Sequence, residues 1–430
     1  MDIVIPAMIT LGTIMVLGFI GNYIFNRTQI PSIVWLLLLG LLIGSVFNVQ
    51  TVISEYQLCQ ISSFFGAIAI VIILFDGGIN IDLRQLFTGA PRGLLLTVSS
   101  FCLSLIATMT IVMFLTLTGI LAIGLKEGAI IGFCLGAIVG GTSSIIVVPL
   151  ACKLKNLQEK TKMILSIESI LTDPLSIVVF LAAFVMITTN NINFLDGIKN
   201  LVSTFSIGIV AGIGFGFIWL FIMHRLRKEQ FSYVLTLAIV FLVYALTESW
   251  GQGSGAIACL MFGLILGNGK KILKMINYAG QKFEMDNETK QFHSLTSFVI
   301  RTFFFVYLGM VVSFRNTSFI TIGILVLIFI MILRYLAVEI ATFRGGFEKD
   351  DKQTMTVMMP RGLAAAILAL NYGPQLLETD LLKLNNTIPG FFGDVAFVII
   401  LGTAIICTVV AAIISRYEMK KERSNITEKQ

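Results

Sequence analysis

Residues 163 to 187, MILSIESILTDPLSIVVFLAAFVMI, decide how the rest of the chain is interpreted. The stretch is long enough to cross the hydrocarbon core of a bilayer as one helix. It nevertheless contains two acidic residues, Glu168 and Asp173, five positions apart. A carboxylate in hydrocarbon is costly, so it persists only beside a partner, in water, or because it has a function. Asp173, which precedes Pro174, is therefore the first candidate for a functional residue.

The composition of the chain predicts a polytopic membrane protein. Of 430 residues, 57% are hydrophobic and only 13% are charged, and so few charges could not cover the surface of a soluble protein of this size. The sequence shows no Gly-rich phosphate-binding loop, so we expect no nucleotide, no nucleic acid and no cofactor. We expect the protein to be surrounded by membrane lipid.

Apolar runs predict an all-α chain with about thirteen membrane-spanning helices, called spans 1 to 13 below. They cover residues 3–25, 31–47, 58–79, 93–120, 128–150, 163–187, 198–223, 231–248, 254–268, 294–313, 318–341, 354–371 and 389–415.

The distribution of basic residues predicts the orientation of these spans. With this assignment, 23 of the 30 Lys and Arg residues lie in the odd-numbered connections and the C-terminal tail, and only four lie on the opposite side. Cytoplasmic loops carry the excess of Lys and Arg. We therefore expect a multi-pass protein of the cell membrane, with the N-terminus outside and the C-terminus in the cytoplasm.

A weak internal repeat relates spans that are seven apart. Gly40 and Gly44 in span 2 match Gly263 and Gly267 in span 9. Because seven is odd, the two halves would cross the membrane in opposite directions, as in the inverted repeats of secondary transporters, whose substrate sites lie near the midplane. The alternative is that such glycine pairs recur only because they allow close helix packing.

Spans 5 and 12 each contain residues that interrupt a helix. Span 5 contains the run Gly140-Gly141-Thr142-Ser143-Ser144, and span 12 contains Pro360-Arg361-Gly362. An interruption frees backbone carbonyls and leaves half-helix ends with partial charges. These carbonyls and hydroxyls suit a sodium or potassium ion, and Arg361 would offset the negative half-helix ends. The alternative is that these residues only kink the two helices so that they pack against their neighbours.

The two acids of span 6 should have different surroundings. Ser169 lies one turn before Asp173, and Thr172 lies one turn after Glu168. Five helical steps separate the carboxylates by about 140°, so one can be structural while the other is free. Burial disfavours the charged form, so near pH 7 a proton and a metal cation would compete for Asp173. The alternative is that Asp173 only fixes a helix through a salt bridge.

Three arginines inside predicted spans also need partners, because an unpaired buried charge is very costly. Arg334 in span 11 is the deepest, and we expect it to pair with Glu168. Arg301, near the start of span 10, can extend towards the interface. Asp76, late in span 3, is a further candidate for the ion path, as is Arg301.

These motifs resemble the monovalent cation:proton antiporter type 1 family, in particular sodium/proton antiporters of the NhaP type. The matching pieces occur in family order over nearly the whole chain. They are Leu74-Phe75-Asp76-Gly77-Gly78, Thr142 with Val147-Val148-Pro149, Glu168-Ser169-x-x-Thr172-Asp173-Pro174, the run from Arg301 to Gly309, Arg334-x-Leu-Ala-Val, and Pro360-Arg361-Gly362.

The resemblance implies an NhaA-like antiporter fold, a homodimer, and a core domain that moves against a dimerisation domain. The implied segments are residues 1–92 (dimerisation, spans 1–3), 93–187 (core, spans 4–6), 188–230 (linker span 7), 231–317 (dimerisation, spans 8–10), 318–415 (core, spans 11–13) and 416–430 (short cytoplasmic tail).

The resemblance also implies roles for site residues. Asp173 would carry the ion or the proton, Ser169 and Thr142 would help to ligate it, and Glu168 would pair with Arg334. Two departures concern the cation site. Thr172 stands where the family usually has Asn, and Ser143 stands where it often has Asp. Both remain neutral oxygen donors, so we include Thr172 and Ser143 among the predicted ligands.

Together these observations predict a secondary transporter that exchanges Na⁺, and also Li⁺, for H⁺ and contributes to pH homeostasis. With one free carboxylate, the exchange should be electroneutral at one to one. Exchange of K⁺ for H⁺ by the same fold is the first alternative. An intramembrane aspartyl enzyme, which would need Asp76 to cooperate with Asp173, is the remote one.

Overall fold

The structure of the chain is a computed structural model, and it describes residues 4–28, 31–47, 55–81, 83, 91–154, 157–188, 194–226, 232–251, 253–275, 287–312, 316–379, 382 and 388–427. All regular secondary structure in these ranges is helical, so the prediction of an all-α chain is confirmed.

The α-helices of the described ranges follow the predicted spans closely. In chain order they are α1 (Val4–Thr28), α2 (Ser32–Phe47), α3 (Glu55–Asn80), α4 (Pro91–Leu117), α5 (Leu125–Val139), α6 (Ser144–Lys153), α7 (Glu159–Thr188), α8 (Phe194–Leu226), α9 (Ser232–Trp250), α10 (Ser254–Gly267), α11 (Gly269–Met275), α12 (Asn287–Val311), α13 (Thr317–Thr342), α14 (Lys349–Val357), α15 (Leu363–Ile367), α16 (Gly373–Glu378) and α17 (Phe391–Thr427).

Spans 5 and 12 are broken, as the glycine and proline residues predicted. Span 5 consists of α5 and α6, which are bent by 41° at the break. Span 12 consists of α14 and α15, and α15 continues into a π-helical turn, Leu368–Tyr372. The sequence did not predict this turn. Within the described ranges, five helices are long and apolar enough to cross a membrane, or six if the bent pair is one span. The total of thirteen spans stays a prediction.

The repeated glycines lie where helices touch backbone to backbone. A Cβ atom added at Gly40 in α2 would collide with Val306 and Gly309 of α12, and one added at Gly263 in α10 would collide with Phe75 of α3. If spans 2 and 3 correspond to spans 9 and 10, the contact of α2 with α12 corresponds to that of α10 with α3. Close helix packing and the internal repeat therefore account for the same residues.

The helices around the two breaks form one packed group. α4 packs against α5, α7 and α13, and α13 packs against α17. α3, from the other part of the chain, contacts α7 and α15. These contacts place the middle of α7, with its two acids, between the broken spans and α3. The domain boundaries given above stay predictions.

Candidate functional site

The two breaks in the helices meet. Residues 140–143 and 358–362 are not helical, and the backbone N–H of Ser143 donates to the carbonyl of Pro360 at 2.7 Å. A Cβ atom added at Gly362 would lie 2.8 Å from Cβ of Ser143. Because glycine has no side chain, the two unwound segments can approach this closely. The crossing therefore depends on residues from both broken spans.

Arg361 donates hydrogen bonds to the carbonyls that the first break exposes and offsets their partial negative charge. Its side chain is fully buried, and Nη1 donates to the carbonyls of Gly140 at 2.8 Å and Gly141 at 3.0 Å. These carbonyls follow the C-terminal end of α5, where the partial charge of a helix is negative. The backbone N–H of Arg361 donates to Oγ1 of Thr403 at 3.0 Å. Arg361 therefore lies beside the exposed carbonyls at the break, as predicted from the sequence.

Glu168 and Arg334 form a buried ion pair. Nη1 of Arg334 contacts Oε1 of Glu168, and Nη2 donates to Oε2 at 2.7 Å. Such a two-pronged arrangement is among the strongest that a guanidinium makes with a carboxylate. The remaining donors are also used, because Nη1 donates to Oγ of Ser100 at 2.8 Å, and Nε and Nη2 each donate to the carbonyl of Met355 at 3.1 Å. The charge of Glu168 is therefore matched.

Two of the predicted oxygen ligands lie between these guanidinium groups. The backbone N–H of Thr142 donates to Oγ1 of Thr172 at 2.9 Å. Oγ1 of Thr142 lies 3.3 Å from Oε1 of Glu168, to which it donates, and it accepts from Nη1 of Arg361 at 3.4 Å. Thr142 and Thr172 thus connect the first break to α7.

The other two predicted hydroxyls are also buried. The hydroxyl of Ser169 donates to the carbonyl of Ser166 at 3.1 Å, within its own helix. The side chain of Ser143 is 1% exposed, in the crossing itself. The structure therefore brings all four predicted hydroxyl residues into the region between α7 and the breaks.

Asp173 borders a cavity of about 70 Å³ between α3, α6, α7 and α12. A cavity of this size has room for several water molecules. Asp173 is only partly buried, and within the part of the chain that the structure describes its carboxylate makes no hydrogen bond or ion pair. Arg361 acts on it electrostatically without pairing. Unlike Glu168, Asp173 therefore has a carboxylate that can accept a ligand.

The same cavity contains polar side chains from three other helices. Asp76 and Asn80 of α3, Ser144 of α6 and Ser297 of α12 border it. Arg301 is half-buried one residue after the lining residue Ile300 and acts electrostatically on Asp76. The structure therefore brings Asp76 and Asp173 to one cavity, with Arg301 nearby.

Sequence reasoning missed several residues of this site. Ser176 is fully buried and, among the described residues, its hydroxyl has no hydrogen-bond partner. A Cβ atom added at Gly141 would lie 2.7 Å from Oγ of Ser176 and 3.1 Å from Oδ1 of Asp173, so both oxygens face the first break. The spacing was available as a signal, because residues three apart share a helix face.

Ser100 and Ser104 of α4 were also missed. Ser100 accepts from Arg334, and Oγ of Ser104 lies 3.4 Å from Nη2 of Arg361. These serines are one turn apart, so one helix supplies a hydroxyl to each buried guanidinium. Nothing in the sequence around them distinguishes this role.

Two helix breaks cross here, Arg361 offsets the exposed carbonyls, and Asp173 borders a cavity with no ion-pair partner among the described residues. Discontinuous helices around such a site in a bundle of apolar helices are the arrangement of a secondary transporter. The family described as sodium/hydrogen exchanger, transmembrane, matches residues 12–417, and the chain belongs to this family. The NhaP-type resemblance is thereby confirmed.

Individual relatives agree with this assignment. Na(+)/H(+) antiporter 1 of Methanocaldococcus jannaschii is 26% identical over 406 residues, which cover 91% of this chain and 89% of that protein. Sodium/hydrogen exchanger 8 of Arabidopsis thaliana is 23% identical over 334 residues, which cover 72% of this chain, and the match spans only 40% of the plant protein.

A solved structure supports the fold. The sodium proton antiporter MjNhaP1 from Methanocaldococcus jannaschii at pH 8 superposes with a TM-score of 0.78 at 22% identity, covering 96% of this chain and 99% of that one. The prediction of an antiporter fold and of a multi-pass membrane protein is confirmed.

Proposed function

We propose that this protein exchanges Na⁺ for H⁺ across the cell membrane by alternating access, with Asp173 as the shared carrier. The proposal also covers exchange of Li⁺. The name of the archaeal relative, Na(+)/H(+) antiporter 1, and the family match support the class of reaction. The N-terminus would lie outside and the C-terminus in the cytoplasm, as the distribution of basic residues predicts.

One observation carries the choice of carrier. Glu168 and Asp173 lie five residues apart on α7, yet Glu168 is bonded to Arg334 whereas Asp173 borders the cavity with no such partner among the described residues. Breaking a buried ion pair leaves an uncompensated charge, so Glu168 is unsuited to releasing and rebinding a proton. Asp173 can do both, because either a proton or an alkali cation would neutralise it.

Neutral oxygens around Asp173 would complete the cation site. The set consists of Ser169, Thr172, Thr142 and Ser143, as predicted from the sequence, together with the hydroxyls of Ser144 and Ser176. Hard cations take oxygen ligands, and Ser176 offers a buried hydroxyl without a partner among the described residues. In this proposal Asp76 and Arg301 shape the access to the site rather than hold the ion.

The test is exchange by purified protein in proteoliposomes with a pH-sensitive dye. Addition of Na⁺ or Li⁺ should change the internal pH for the wild type but not for Asp173→Asn, and K⁺ is added in the same way for comparison. Asp350→Asn removes a carboxylate from an exposed position in the first turn of α14 and should exchange at the wild-type rate. Retained sodium-dependent exchange by a folded Asp173→Asn variant would show that another group is the carrier.

Exchange of K⁺ for H⁺ is the second candidate, and one feature favours it. The crossing of the breaks holds Ser143, a neutral side chain, at the position where the family often has an aspartate. A weaker negative field favours the cation that gives up its hydration water more readily. The order of responses to Na⁺, Li⁺ and K⁺ in the same assay decides between the two.

The family match argues against an intramembrane aspartyl enzyme. Asp76 and Asp173 do border one cavity, but the family to which the chain belongs consists of exchangers. The homodimer and the movement of a core domain against a dimerisation domain remain part of the proposal, as the family resemblance of the motifs implies.

A further inference from the structure

Three basic residues converge on the loop that follows α13. Arg92 is the second residue of α4, Lys160 is the second residue of α7, and Arg344 is the second residue after α13. All three helices are candidate membrane spans. Since each cation lies within two residues of the end of a span, the cluster lies at one membrane–water interface, on the side predicted to be cytoplasmic.

Lys160 and Arg92 hold the loop in place. Nζ of Lys160 donates to the carbonyl of Gly346 at 2.7 Å and lies 4.3 Å from the ring centre of Phe347. The guanidinium of Arg92 lies 5.5 Å from the same ring and donates to the carbonyl of Arg344 at 3.4 Å. Both cations thus lie within 5.5 Å of one ring centre, and such contacts are each modest in strength.

No salt bridge among the described residues neutralises the positive charge of this cluster. Among the described residues, the salt bridges on this side of the bundle join Lys162 to Glu159 and Lys352 to Glu339, and none involves Arg92, Lys160 or Arg344. Repulsion between these cations would be relieved by an anion bound beside them.

Arg344 has a strained backbone. Its φ is 51°, and among the described residues it is the one non-glycine residue with a positive φ. Such a conformation persists only where the surroundings enforce it, and it is concentrated at functional sites. The side chain of Arg344 is exposed, with its guanidinium 5.3 Å from the ring centre of Phe343, which is 69% exposed.

The surface next to the cluster is apolar. Ile340 and Leu336 of α13 are 49% and 46% exposed, and Leu94 and Leu95 of α4 are 37% and 43% exposed. α4 and α13 pack against each other along a seam, and on both helices these exposed side chains lie on the inward side of the cations along the chain, so apolar surface adjoins the cluster on both helices of the seam. A ligand for this surface must combine an anionic end with hydrocarbon.

We propose that the surface formed by Arg92, Arg344 and the adjoining faces of α4 and α13 binds an anionic glycerophospholipid. Its phosphate would lie between the two arginines, with the charge of Lys160 nearby, and its acyl chains would follow the seam. Basic pockets between membrane helices on the cytoplasmic side are suited to such headgroups. The partner is the lipid of the surrounding leaflet.

The experiment measures lipid affinity, which does not depend on which cation is exchanged. Short-chain phosphatidylglycerol is titrated into detergent-solubilised full-length protein while the thermal unfolding midpoint is followed, with phosphatidylcholine of the same chains as reference. We expect an upward shift with phosphatidylglycerol only, and a smaller shift at high salt. Each cation removed should weaken the affinity by about fivefold.

The variants are Arg344→Gly and the double variant Arg92→Gln with Arg344→Gly. Glycine accepts a φ of 51° without strain, and the carbonyl that accepts from Arg92 is retained, so Arg344→Gly should fold and still bind more weakly. Lys274→Gln removes an exposed cation from the last turn of α11 and should bind as the wild type does.

Three results would overturn the proposal. The first is unchanged phosphatidylglycerol affinity in Arg344→Gly. The second is an equal loss of affinity in Lys274→Gln, which would show that only the total charge matters. The third is an equal response of the wild type to soluble glycerol phosphate, which would show that a small anion rather than a lipid occupies the surface.

Discussion

At the scale of residues, the two carboxylates of α7 differ in their partners. Glu168 receives a guanidinium that is itself held by Ser100 and by the carbonyl of Met355. Asp173 borders a cavity. The same chemical group thus fixes α7 to its neighbours at one position and is available to a ligand less than two turns later.

Glu168→Ala and Arg334→Ala should lose folded protein rather than transport alone. Each leaves one buried charge without its partner, at a cost of about 3–5 kcal/mol. The thermal unfolding midpoint and the yield of monodisperse protein in detergent measure this effect. Asp173→Asn should match the wild type in both measurements, and a comparable loss of stability in that variant would contradict the division of roles.

Ser176→Ala should weaken sodium binding while leaving the protein folded. Loss of one neutral oxygen ligand, valued like one hydrogen bond, should raise the sodium concentration for half-maximal exchange by about fivefold. Ser206→Ala is the control, because that exposed hydroxyl bonds only to its own helix at Val202. An unchanged sodium dependence in Ser176→Ala would remove this residue from the ligand set.

At the scale of elements, the break between α5 and α6 controls how closely α7 approaches. Gly141 faces Ser176, Asp173 and the carbonyl of Thr172, all within 3.3 Å of the place where a Cβ atom would be. Only a residue without a side chain leaves this contact undisturbed. The interruption therefore both frees carbonyls and makes room for Asp173, the proposed carrier.

Gly141→Ala should reduce exchange strongly, because the added methyl group would press on the carboxylate and on the Ser176 hydroxyl. Overpacking of this kind costs about 1–3 kcal/mol, and here it falls on the proposed cation site. Gly214→Ala in α8 is the matched control, since nothing lies within 4 Å of its added Cβ atom. Equal exchange rates in the two variants would contradict the arrangement.

The sequence allowed the helices, the breaks and the ion pair to be predicted, but not every polar contact of the site. Apolar length and helix-breaking residues located the spans and both breaks, and the need to pair buried charges brought Arg334 to Glu168. The hydroxyls of α4 could not be assigned in this way. Thr97 and Thr108 bond back to carbonyls of their own helix, whereas Ser100 and Ser104 contact arginines. All four look alike in the sequence, because only the packing of α4 decides between these uses.

At the scale of the whole molecule, the charge count predicts electroneutral exchange. The positive charges at the site are Arg334, bonded to Glu168, and Arg361, bonded to the carbonyls that the first break exposes; neither takes up or releases the transported ion in the proposed cycle. If one proton replaces one alkali cation on Asp173, the moving part carries the same charge in both directions.

A membrane potential should therefore leave the exchange equilibrium unchanged. Proteoliposomes with a potassium diffusion potential set by valinomycin, measured with and without the potential at fixed sodium and pH gradients, provide the test. The Asp350→Asn variant, measured in the same way, serves as the control for surface charge. Displacement of the equilibrium by the potential would require a second proton per cycle.

The bond from Ser143 to Pro360 joins the two interruptions to each other, and the two guanidinium groups join them to α4 and α7. In the proposed alternating-access cycle, parts tied together in this way would travel as one piece. A cation arriving from the medium and one arriving from the cell interior would then meet an identical coordination shell. Half-saturating sodium concentrations measured at the two faces, at matched pH, should consequently be similar, and a large difference between them would show that the coordination shell changes between the two orientations.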